Sequence, residues 1–526
     1  MATARIAPEL QPSAETHEFR LHIGRISRQS LVFFAGTIFA AATGYVFKLY
    51  LARALGAEAL GVYALGMTII GLLGVFNALG LPQAAVRFVA AYSANAQLGL
   101  LRGFLARSVF WLLISNLFAS GMVLFAGPWI AVRFYHTPAL KAYLGWFALI
   151  VIFGALNAFL GQTLAGYKDV ARRTVITNFV GTPVMMVLTV VLVSWGLGLR
   201  GYVLAQAASA ILVLSLLVVA VWRLTPKAAG SASANLPRLE GRVISFSAAA
   251  LGIGFLEFLM GQTDKVLIGF YLNAREVGVY AVAGALVTFV PVVLQSVNQI
   301  FSPTIADLHA RGQTELLRRI FQTLTKWILA LTIPLGATMV LFAPSLMRIF
   351  GPDFEAGWPV LVIGTAGQLI NCGVGSVGYL LLMAGHQKRL IMVQAAMACA
   401  MVVLALLLVP KWGIIGAAIA AALTNIVTNF WCLREVRRHL GLFPYNRSYL
   451  RMWLPAFCTL VVLLLWRESL HMFLPAWMVV GIGFLLAYAI FLPVALAYGL
   501  DPDDRLIANA VWSRVRGIFR GLEANS

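Results

Sequence analysis

The segment LGAEALGVYAL at residues 55–65 returns at residues 272–282 as LNAREVGVYAV, with six of eleven positions identical at a spacing of 217 residues. Two further groups of small residues keep nearly the same spacing. Ala165-Gly166 corresponds to Ala384-Gly385, and Gly198, Gly201 and Ala205 correspond to Gly413, Gly416 and Ala420. Self-similarity at one fixed period indicates a protein assembled from structural repeats. The chain is therefore predicted to contain two homologous halves.

The composition is typical of a membrane protein. Hydrophobic residues make up 61% of the 526 residues and charged residues 11%, and the mean hydropathy is +0.88. Soluble domains contain roughly 45–50% apolar and about 25% charged residues, so a soluble fold could not bury this much apolar surface. About fourteen stretches are long enough to cross a bilayer. They lie near 31–51, 60–80, 104–127, 143–165, 174–196, 199–222, 248–271, 277–301, 326–350, 359–384, 390–410, 413–433, 450–466 and 474–498.

Each half holds six of these stretches, and the last two lie outside the repeat. An even number of helices per half means that both halves enter the membrane from the same side. The predicted fold is an all-α polytopic membrane protein with two pseudo-symmetric six-helix lobes and two extra C-terminal helices. The predicted organisation is a cytoplasmic N-terminal tail (1–30), an N-lobe (31–222), a cytoplasmic linker (223–247), a C-lobe (248–433), an appendage of two helices (434–498) and an amphipathic cytoplasmic tail helix (499–526).

Lysine and arginine are distributed unevenly between the two sides of this topology. Of the 39 in the chain, 29 fall in the N-terminal tail and in every second connection after it, 8 fall in or beside the other connections, and 2 lie inside spans. The positive-inside rule then predicts a multi-pass protein of the inner (cytoplasmic) membrane with both termini in the cytoplasm. The formal charge of +20 reflects loops beside anionic lipid and requires no nucleic-acid partner.

The sequence contains no motif of an enzyme active site. A Walker A pattern, a paired-cysteine motif, a histidine-rich metal cluster and a nucleophile elbow are all absent from it. The four cysteines, which all fall within predicted spans and lack the spacing of metal ligands, are interpreted as small packing residues: Cys372, Cys399, Cys432 and Cys458. We therefore expect no enzyme activity, no cofactor and no metal, and transport that is downhill or driven by an ion gradient.

Ionisable residues inside spans are the first functional candidates, because a charge in the membrane costs roughly 3 kcal/mol or more unless water or a partner offsets it. The first span contains Lys48, and the seventh contains Glu257, Asp264 and Lys265. Lys48 and Lys265 are 217 residues apart and occupy equivalent positions in the repeat. Each lysine is near the outer end of its helix, so two interpretations stay open. The amines either extend to the lipid headgroups or line a polar cleft.

The residues around Lys265 favour the cleft. Glu257, Gly261 and Asp264 share one helical face, while Asp264 and Lys265 point about 100° apart and cannot form an ideal pair with each other. A pair between Lys48 and Asp264 is therefore the preferred hypothesis. It would act as a gate that closes the outer side and opens when an anion competes for Lys48.

The eighth span carries a polar stripe on an otherwise apolar helix. Gln295 and Asn298 are its candidate cleft residues, and Thr288, Pro291 and Ser302 continue it at steps of three or four residues. Such a stripe serves either substrate contact or hydrogen bonding between packed helices. Gln295 and Asn298 are predicted to face the cleft.

Arg87 is the remaining candidate. It follows the second span, after Asn77 and the helix break Gly80-Leu81-Pro82. Arg87 either attracts an anionic headgroup from the cytoplasmic leaflet or only reflects the positive-inside bias.

Further along the chain, TELLRRIFQTLT at residues 314–325 is predicted to form an interfacial helix before the ninth span.

Six segments in a fixed order resemble the polysaccharide-biosynthesis flippases of the Wzx type, members of the multidrug/oligosaccharidyl-lipid/polysaccharide (MATE/MOP) exporter superfamily. The segments are LARALGAEALGVYAL (51–65), GLPQAAVRFVA (80–90), TDKVLIGFYLNAREVGVYA (263–281), FSPTIADL (301–308), IFGPDFEAGWPVL (349–361) and VPKWGIIGAAIA (409–420). The resemblance spans nearly the whole twelve-helix core. It implies two lobes around a cleft lined by the first, second, seventh and eighth spans and opened alternately to each side.

The resemblance also implies the substrate, a polyprenyl-pyrophosphate-linked oligosaccharide such as the repeat unit of an O-antigen, a lipopolysaccharide or an exopolysaccharide. Cationic groups such as Lys48 and Lys265 would help the pyrophosphate to cross hydrocarbon. Membrane lipid and a polysaccharide polymerase or glycosyltransferases are the expected partners. The alternative function is a cation-coupled multidrug or small-molecule exporter of the same superfamily, although the interiors of the first six predicted spans contain no acidic residue.

Overall fold

A computed structural model describes residues 14–225, 241–470 and 475–497. Within these ranges the chain forms helices and connecting turns without β-strands, which confirms the predicted all-α fold. The first half contains α1 (Ala14–Asn77), α2 (Leu81–Ala94), α3 (Leu98–Trp129), α4 (Leu144–Gly166), α5 (Val170–Thr174), α6 (Thr182–Leu192) and α7 (Gly198–Leu224).

The second half contains α8 (Gly241–Tyr271), α9 (Ala274–Val287), α10 (Val292–Ala310), α11 (Thr314–Leu341), α12 (Ala343–Phe350), α13 (Trp358–Val374), α14 (Val377–Met383) and α15 (Gln387–Leu440). The appendage contains α16 (Trp453–Leu470) and α17 (Ala476–Ala497). Three 3-10 helices lie at Pro138–Tyr143, Pro352–Gly357 and Arg447–Met452, and three π-helical segments at Ile130–Phe134, Val175–Gly181 and Val193–Leu197.

Nine helical stretches of the described residues are long and apolar enough to cross a membrane, or ten if the bent pair Ala274–Val287 and Val292–Gln299 is one span. Three of the stretches are interrupted by glycines whose backbone leaves the helical region, at Gly56, Gly198 and Gly413. Each interruption falls in or beside a gap between two predicted spans. The chain can turn at these positions because glycine adopts positive φ without steric cost. The chain is a multi-pass membrane protein, consistent with the predicted fourteen spans.

Three predicted segments are wrong in detail. The eighth span is not one continuous helix: α9 and α10 meet at 51° across residues 288–291, because Pro291 has no amide hydrogen for the helical ladder. The span predicted at 359–384 is divided into α13 and α14 at Gly375, whose φ is 79°. Residues 314–325 form no separate interfacial helix. They are the first turns of α11. Their apolar face, with Leu317 and Phe321, is buried in the protein core.

The two copies of the repeated segment make the same turn in different ways. In the first copy, Gly56 has a φ of 79° and divides α1 into two helical parts. In the second copy, the side chain of Asn273 accepts a hydrogen bond of 3.0 Å from the amide of Glu276 and caps α9. Sequence-equivalent helices therefore begin at Ala57 and at Ala274.

The chain divides into two compact units. Unit 1 comprises the residues up to Lys48, Ile70–Gly127 and Ala142–Gly252. Aromatic rings of α2, α3 and α4 pack in its core. The ring centroid of Phe104 lies 6.1 Å from that of Phe88 and 6.1 Å from that of Phe159, with the rings tilted. Gly80 has a φ of 65°, and a side chain there would overlap the carbonyl oxygen of Ser247. The helix break predicted at Gly80 is therefore observed, and it is also a close approach of two backbones.

Unit 2 comprises Leu49–Ile69, Pro128–Lys141 and the residues from Ile253 onward. Both copies of the repeated segment thus belong to this unit. Within it, the hydroxyls of Thr68 and Tyr135 are 3.0 Å apart, and Gly269 of α8 packs against Tyr135. The predicted lobe boundaries at residues 222 and 248 remain predictions.

The appendage packs within unit 2. Phe342, Leu463, Val479 and Ala487 form one buried cluster between α11, α16 and α17. The hydroxyl of Tyr488 donates a hydrogen bond of 2.7 Å to the carbonyl of Leu331 and fastens α17 to α11. Residues 1–13, most of the predicted linker (226–240) and the predicted tail helix 499–526 lie outside the described residues.

Candidate functional site

Asp264 lies near the end of α8 and is buried, with 9% of its surface exposed. Both carboxylate oxygens accept hydrogen bonds: Oδ2 from the hydroxyl of Tyr280 at 2.7 Å and Oδ1 from the amide of Lys265 at 2.8 Å. A buried carboxylate is stable only when such donors replace the water that it loses. Tyr280 is therefore part of the candidate site, although the sequence reasoning did not identify it.

Each of the two predicted lysines contacts the residue three positions earlier on its own helix. The ammonium of Lys265 donates a hydrogen bond of 3.0 Å to Oε1 of Gln262, three residues earlier on α8. The ammonium of Lys48 lies 5.0 Å from the ring centroid of Tyr45, three residues earlier on α1. Tyr45 and Gln262 are also 217 residues apart. The repeat therefore conserves the lysine and the position of its neighbour, while the neighbour changes from an aromatic ring to an amide.

The direction of these lysine side chains bears on the choice between snorkelling and a cleft. Side chains on an α-helix lean toward its N-terminus, and a lysine that snorkels must reach toward the nearer helix end. For Lys48 and Lys265 the nearer ends are the turns at Gly56 and Asn273. Both ammonium groups contact residues on the opposite side, toward the middle of the helix. An N-terminal lean of this kind is common to helical side chains, so the choice between a cleft and snorkelling remains a prediction.

Glu257 lies two turns before Asp264 on α8 and is exposed. Gly261, on the face that the two acidic residues share, is exposed as well, and a side chain there would meet no atom within 4 Å. The acidic face of α8 is thus open at Glu257 and Gly261 and becomes buried at Asp264.

Gln295 and Asn298 lie on α10, beyond the bend that separates it from α9. Gln295 is exposed, whereas Asn298 is 6% exposed, and its Oδ1 has no hydrogen-bond partner among the described residues. The bend means that Thr288 does not continue the helical stripe of these two residues; its hydroxyl donates to the carbonyl of Ala285 at 2.7 Å. The predicted stripe is therefore confined to α10.

Arg87 lies on α2 in unit 1 and is exposed. Its guanidinium is 5.0 Å from the ring centroid of Phe246 and 5.7 Å from that of Phe88, so it stacks on aromatic surface while its charge stays accessible. Asn77, which precedes the break before α2, donates a hydrogen bond of 2.7 Å to Oδ1 of Asn116. Asn77 is buried and is part of the helix packing of unit 1.

Lys326 is a buried ionisable residue that the sequence reasoning missed. It lies on α11 and is 5% exposed. Its position at the predicted start of the ninth span made it resemble an ordinary basic loop residue. No cluster of three His, Cys, Asp or Glu side chains in the described ranges has the arrangement of a metal site.

The seven predicted site residues are divided between the two units. Glu257, Asp264, Lys265, Gln295 and Asn298 belong to unit 2, and Lys48 and Arg87 belong to unit 1. The one buried carboxylate among the seven is held by Tyr280. The pair between Lys48 and Asp264 remains a prediction.

The fold is that of known exporters and lipid flippases. It matches the lipid II flippase MurJ in an inward closed conformation with a TM-score of 0.68 at 15% identity, covering 89% of this chain and 98% of that one. It matches a multidrug resistance MATE family transporter of the MOP superfamily, in an inward-facing conformation, with a TM-score of 0.63 at 14% identity, covering 78% and 98%. The chain therefore has the fold shared by MurJ and the MATE transporters.

The family follows from the sequence match. Residues 50–355 match the model of the family described as polysaccharide biosynthesis protein, and the chain belongs to that family. It is 21% identical over 423 residues to an uncharacterized membrane protein of Methanocaldococcus jannaschii, covering 76% of this chain and 82% of that one. It is 23% identical over 184 residues to AglR, a probable flippase of Haloferax volcanii, covering 34% and 39%. The named relative and the fold neighbours are flippases and transporters rather than enzymes.

Proposed function

We propose that this protein moves a polyprenyl-pyrophosphate-linked oligosaccharide across the cytoplasmic membrane by alternating access. The oligosaccharide would be the repeat unit of a polysaccharide such as an O-antigen, a lipopolysaccharide or an exopolysaccharide. The family to which residues 50–355 belong and the likeness to a probable flippase support this substrate class. The distribution of lysine and arginine supports an inner-membrane location with both termini in the cytoplasm.

The observation that carries the proposal is the pair of repeat-equivalent lysines. A pyrophosphate cannot enter hydrocarbon without cationic groups to replace its water. Lys48 and Lys265 supply two such groups, each directed toward the middle of its helix. The polyprenyl tail can stay in lipid throughout.

The other predicted residues take supporting roles in this proposal. Arg87 attracts the pyrophosphate from the cytoplasmic leaflet, because its charge is accessible while its stem rests on Phe246. Gln295 and Asn298 offer amide groups to sugar hydroxyls, and the unsatisfied Oδ1 of Asn298 is available as an acceptor. The carboxylates of Glu257 and Asp264 repel the pyrophosphate and so shorten the time that it stays beside Lys265. A polymerase or glycosyltransferases would supply or consume the lipid-linked sugar.

The alternative function is a cation-coupled exporter of drugs or other small molecules. Two observations favour it. The MATE transporter shares the fold at a TM-score of 0.63, and Asp264 with Tyr280 forms a buried acidic site of the kind that can bind a coupling cation. In this alternative the lysines would have no anion to bind.

Ligand-induced stabilisation of the purified protein distinguishes the two functions. A ligand present at 100 times its Kd stabilises the folded state by about 2.7 kcal/mol, which is measurable as a rise in Tm. We expect undecaprenyl-pyrophosphate-linked oligosaccharide to raise the Tm of the wild type and of a Lys411→Ala control, but to raise it much less in Lys48→Ala and Lys265→Ala. Stabilisation by cationic dyes alone would instead support the exporter.

A further inference from the structure

Two glycines of the repeated segments meet backbone to backbone in unit 2. A side chain at Gly61 would overlap the carbonyl oxygen of Ala274, and a side chain at Gly278 would overlap the carbonyl oxygen of Ala57. Ala57 and Gly61 are equivalent to Ala274 and Gly278 in the repeat, so the contact is reciprocal. Small residues four apart allow two membrane helices to approach at backbone distance. The segment 57–69 of α1 is therefore in close contact with α9.

A short segment covers the same end of unit 2. It consists of α12 and the 3-10 helix Pro352–Gly357, and we call residues 343–357 the strap. The strap binds both turns of the repeat. Nε of Arg53, just before the Gly56 turn, donates 2.9 Å to the carbonyl of Ile349, and Nη2 of Arg275, just after Asn273, lies 2.7 Å from Oδ1 of Asp353.

The strap is a defined element of structure. Arg348 and Glu355 form a bidentate pair across its turn, with distances of 2.9 Å and 2.6 Å. Phe354 is 1% exposed, and a side chain at Gly357 would lie 2.7 Å from Cγ1 of Val279 on α9. The strap therefore has its own apolar anchor on α9 and presents its polar groups to the two turns.

Arginines are concentrated in and around the strap, although they are few on this side of the bundle. The end of the bundle with the Gly56 and Asn273 turns is the side that the charge distribution assigns to the outside, where 8 of the 39 lysines and arginines fall. Three of those eight, Arg53, Arg275 and Arg348, bind within this one cluster. Exposed ion pairs contribute only about 0–1 kcal/mol each, so such a cluster holds two segments together and can still be released.

We propose that the strap is a latch. It holds the 57–69 segment of α1 against α9 by binding Arg53 on one copy of the repeat and Arg275 on the other, so that the glycine contact opens only when these arginines let go. The latch rests on the proposed function only in that a transporter must open this end during its cycle.

The test measures the distance across the glycine contact without any substrate. Spin labels are placed at Glu58 and Glu276 in a protein whose four native cysteines are replaced, and the distance distribution is recorded by pulsed electron resonance. We expect the long-distance population to rise about twofold to fivefold in Arg275→Asp, where two carboxylates face each other, and in Arg53→Ala. The double variant Arg275→Asp with Asp353→Arg should restore the wild-type distribution.

Arg311→Asp is the matched control, because Arg311 forms an equally exposed pair with Asp307 on α10. An unchanged distribution in Arg275→Asp and Arg53→Ala, or a double variant as open as the single one, would overturn the latch. If the labelled protein does not fold, hydrogen exchange of residues 57–66 in the protein with its own cysteines gives the same comparison. Since no substrate is present, failure of the proposed flipping would leave this result standing.

Discussion

The hydroxyl of Tyr280 on α9 donates a hydrogen bond of 2.7 Å to Oδ2 of Asp264 on α8. The bond joins the two helices on either side of the Asn273 turn and holds the one buried carboxylate of the candidate site. In the first copy of the repeat, Tyr63 is equivalent to Tyr280, but Phe47 stands in the place of Asp264. The acidic site is therefore specific to the second half, whereas the lysine is common to both.

Removing the Tyr280 hydroxyl should weaken this junction. Tyr280→Phe leaves the buried Asp264 one donor short, and we expect it to lower the free energy of unfolding by about 1–2 kcal/mol. Tyr280→Phe, Asp264→Asn and the double variant form a cycle measured by thermal unfolding in detergent. Additive effects would show that the two residues do not act as a pair.

The two lysines should each contribute to binding of the pyrophosphate. A hydrogen bond to a charged group is worth about 1.5–3 kcal/mol, so Lys48→Ala and Lys265→Ala should each weaken the affinity by roughly tenfold to a hundredfold. Lys48→Arg and Lys265→Arg should keep part of it, because they keep the charge. The measurement is a Kd for the lipid-linked oligosaccharide in nanodiscs. Equal affinity in Lys48→Ala and in the exposed Lys411→Ala would contradict the assigned role.

The glycine contact should tolerate no side chain. In Gly278→Ala the new methyl group would overlap the carbonyl of Ala57, and we expect a loss of roughly 1–3 kcal/mol of stability. Gly284→Ala on the same helix is the control: its methyl group would meet nothing within 4 Å, and alanine favours the helix by up to about 1 kcal/mol. Thermal unfolding of both variants gives the comparison. A Gly278→Ala variant as stable as Gly284→Ala would mean that the two backbones are not in contact.

Asn77 should be structural rather than part of the binding site. In Asn77→Ala the Oδ1 of Asn116 loses its 2.7 Å donor, and hydrogen bonds between membrane helices are worth about 0.6–2 kcal/mol. We expect a lower Tm and an unchanged Kd for the lipid-linked oligosaccharide. The exposed Gln83→Ala serves as the control for both measurements. A Kd that rises in Asn77→Ala at constant Tm would place Asn77 in the site instead.

Much of the fold could be predicted from the sequence because its signals are local. The apolar runs set the spans, and glycines mark the turns at Gly56 and Gly198, where positive φ is needed. The bend between α9 and α10 was missed even though Pro291 is visible in the sequence. Proline is common within membrane helices, and whether it bends or ends a helix depends on the neighbours that accept the freed backbone groups.

The candidate site was predicted less completely. The equivalence of Lys48 and Lys265 follows from the repeat alone, and so could be predicted. The partner of Asp264 could not, because Tyr280 lies across a turn and its approach depends on how α8 packs against α9. Likewise, the burial of Asp264 and the exposure of Glu257 on one helical face depend on which helices cover each turn.

Translocation in proteoliposomes tests the central claim most directly. A fluorescent undecaprenyl-pyrophosphate-linked oligosaccharide is placed in both leaflets, and a membrane-impermeant quencher reports the fraction that reaches the outer leaflet, with and without an imposed ion gradient. We predict that the wild type and Lys411→Ala make nearly all of the lipid accessible and that the Lys48→Ala/Lys265→Ala variant leaves about half protected, as in empty liposomes. Wild-type vesicles that match empty liposomes under every gradient, yet export cationic dyes, would contradict the account.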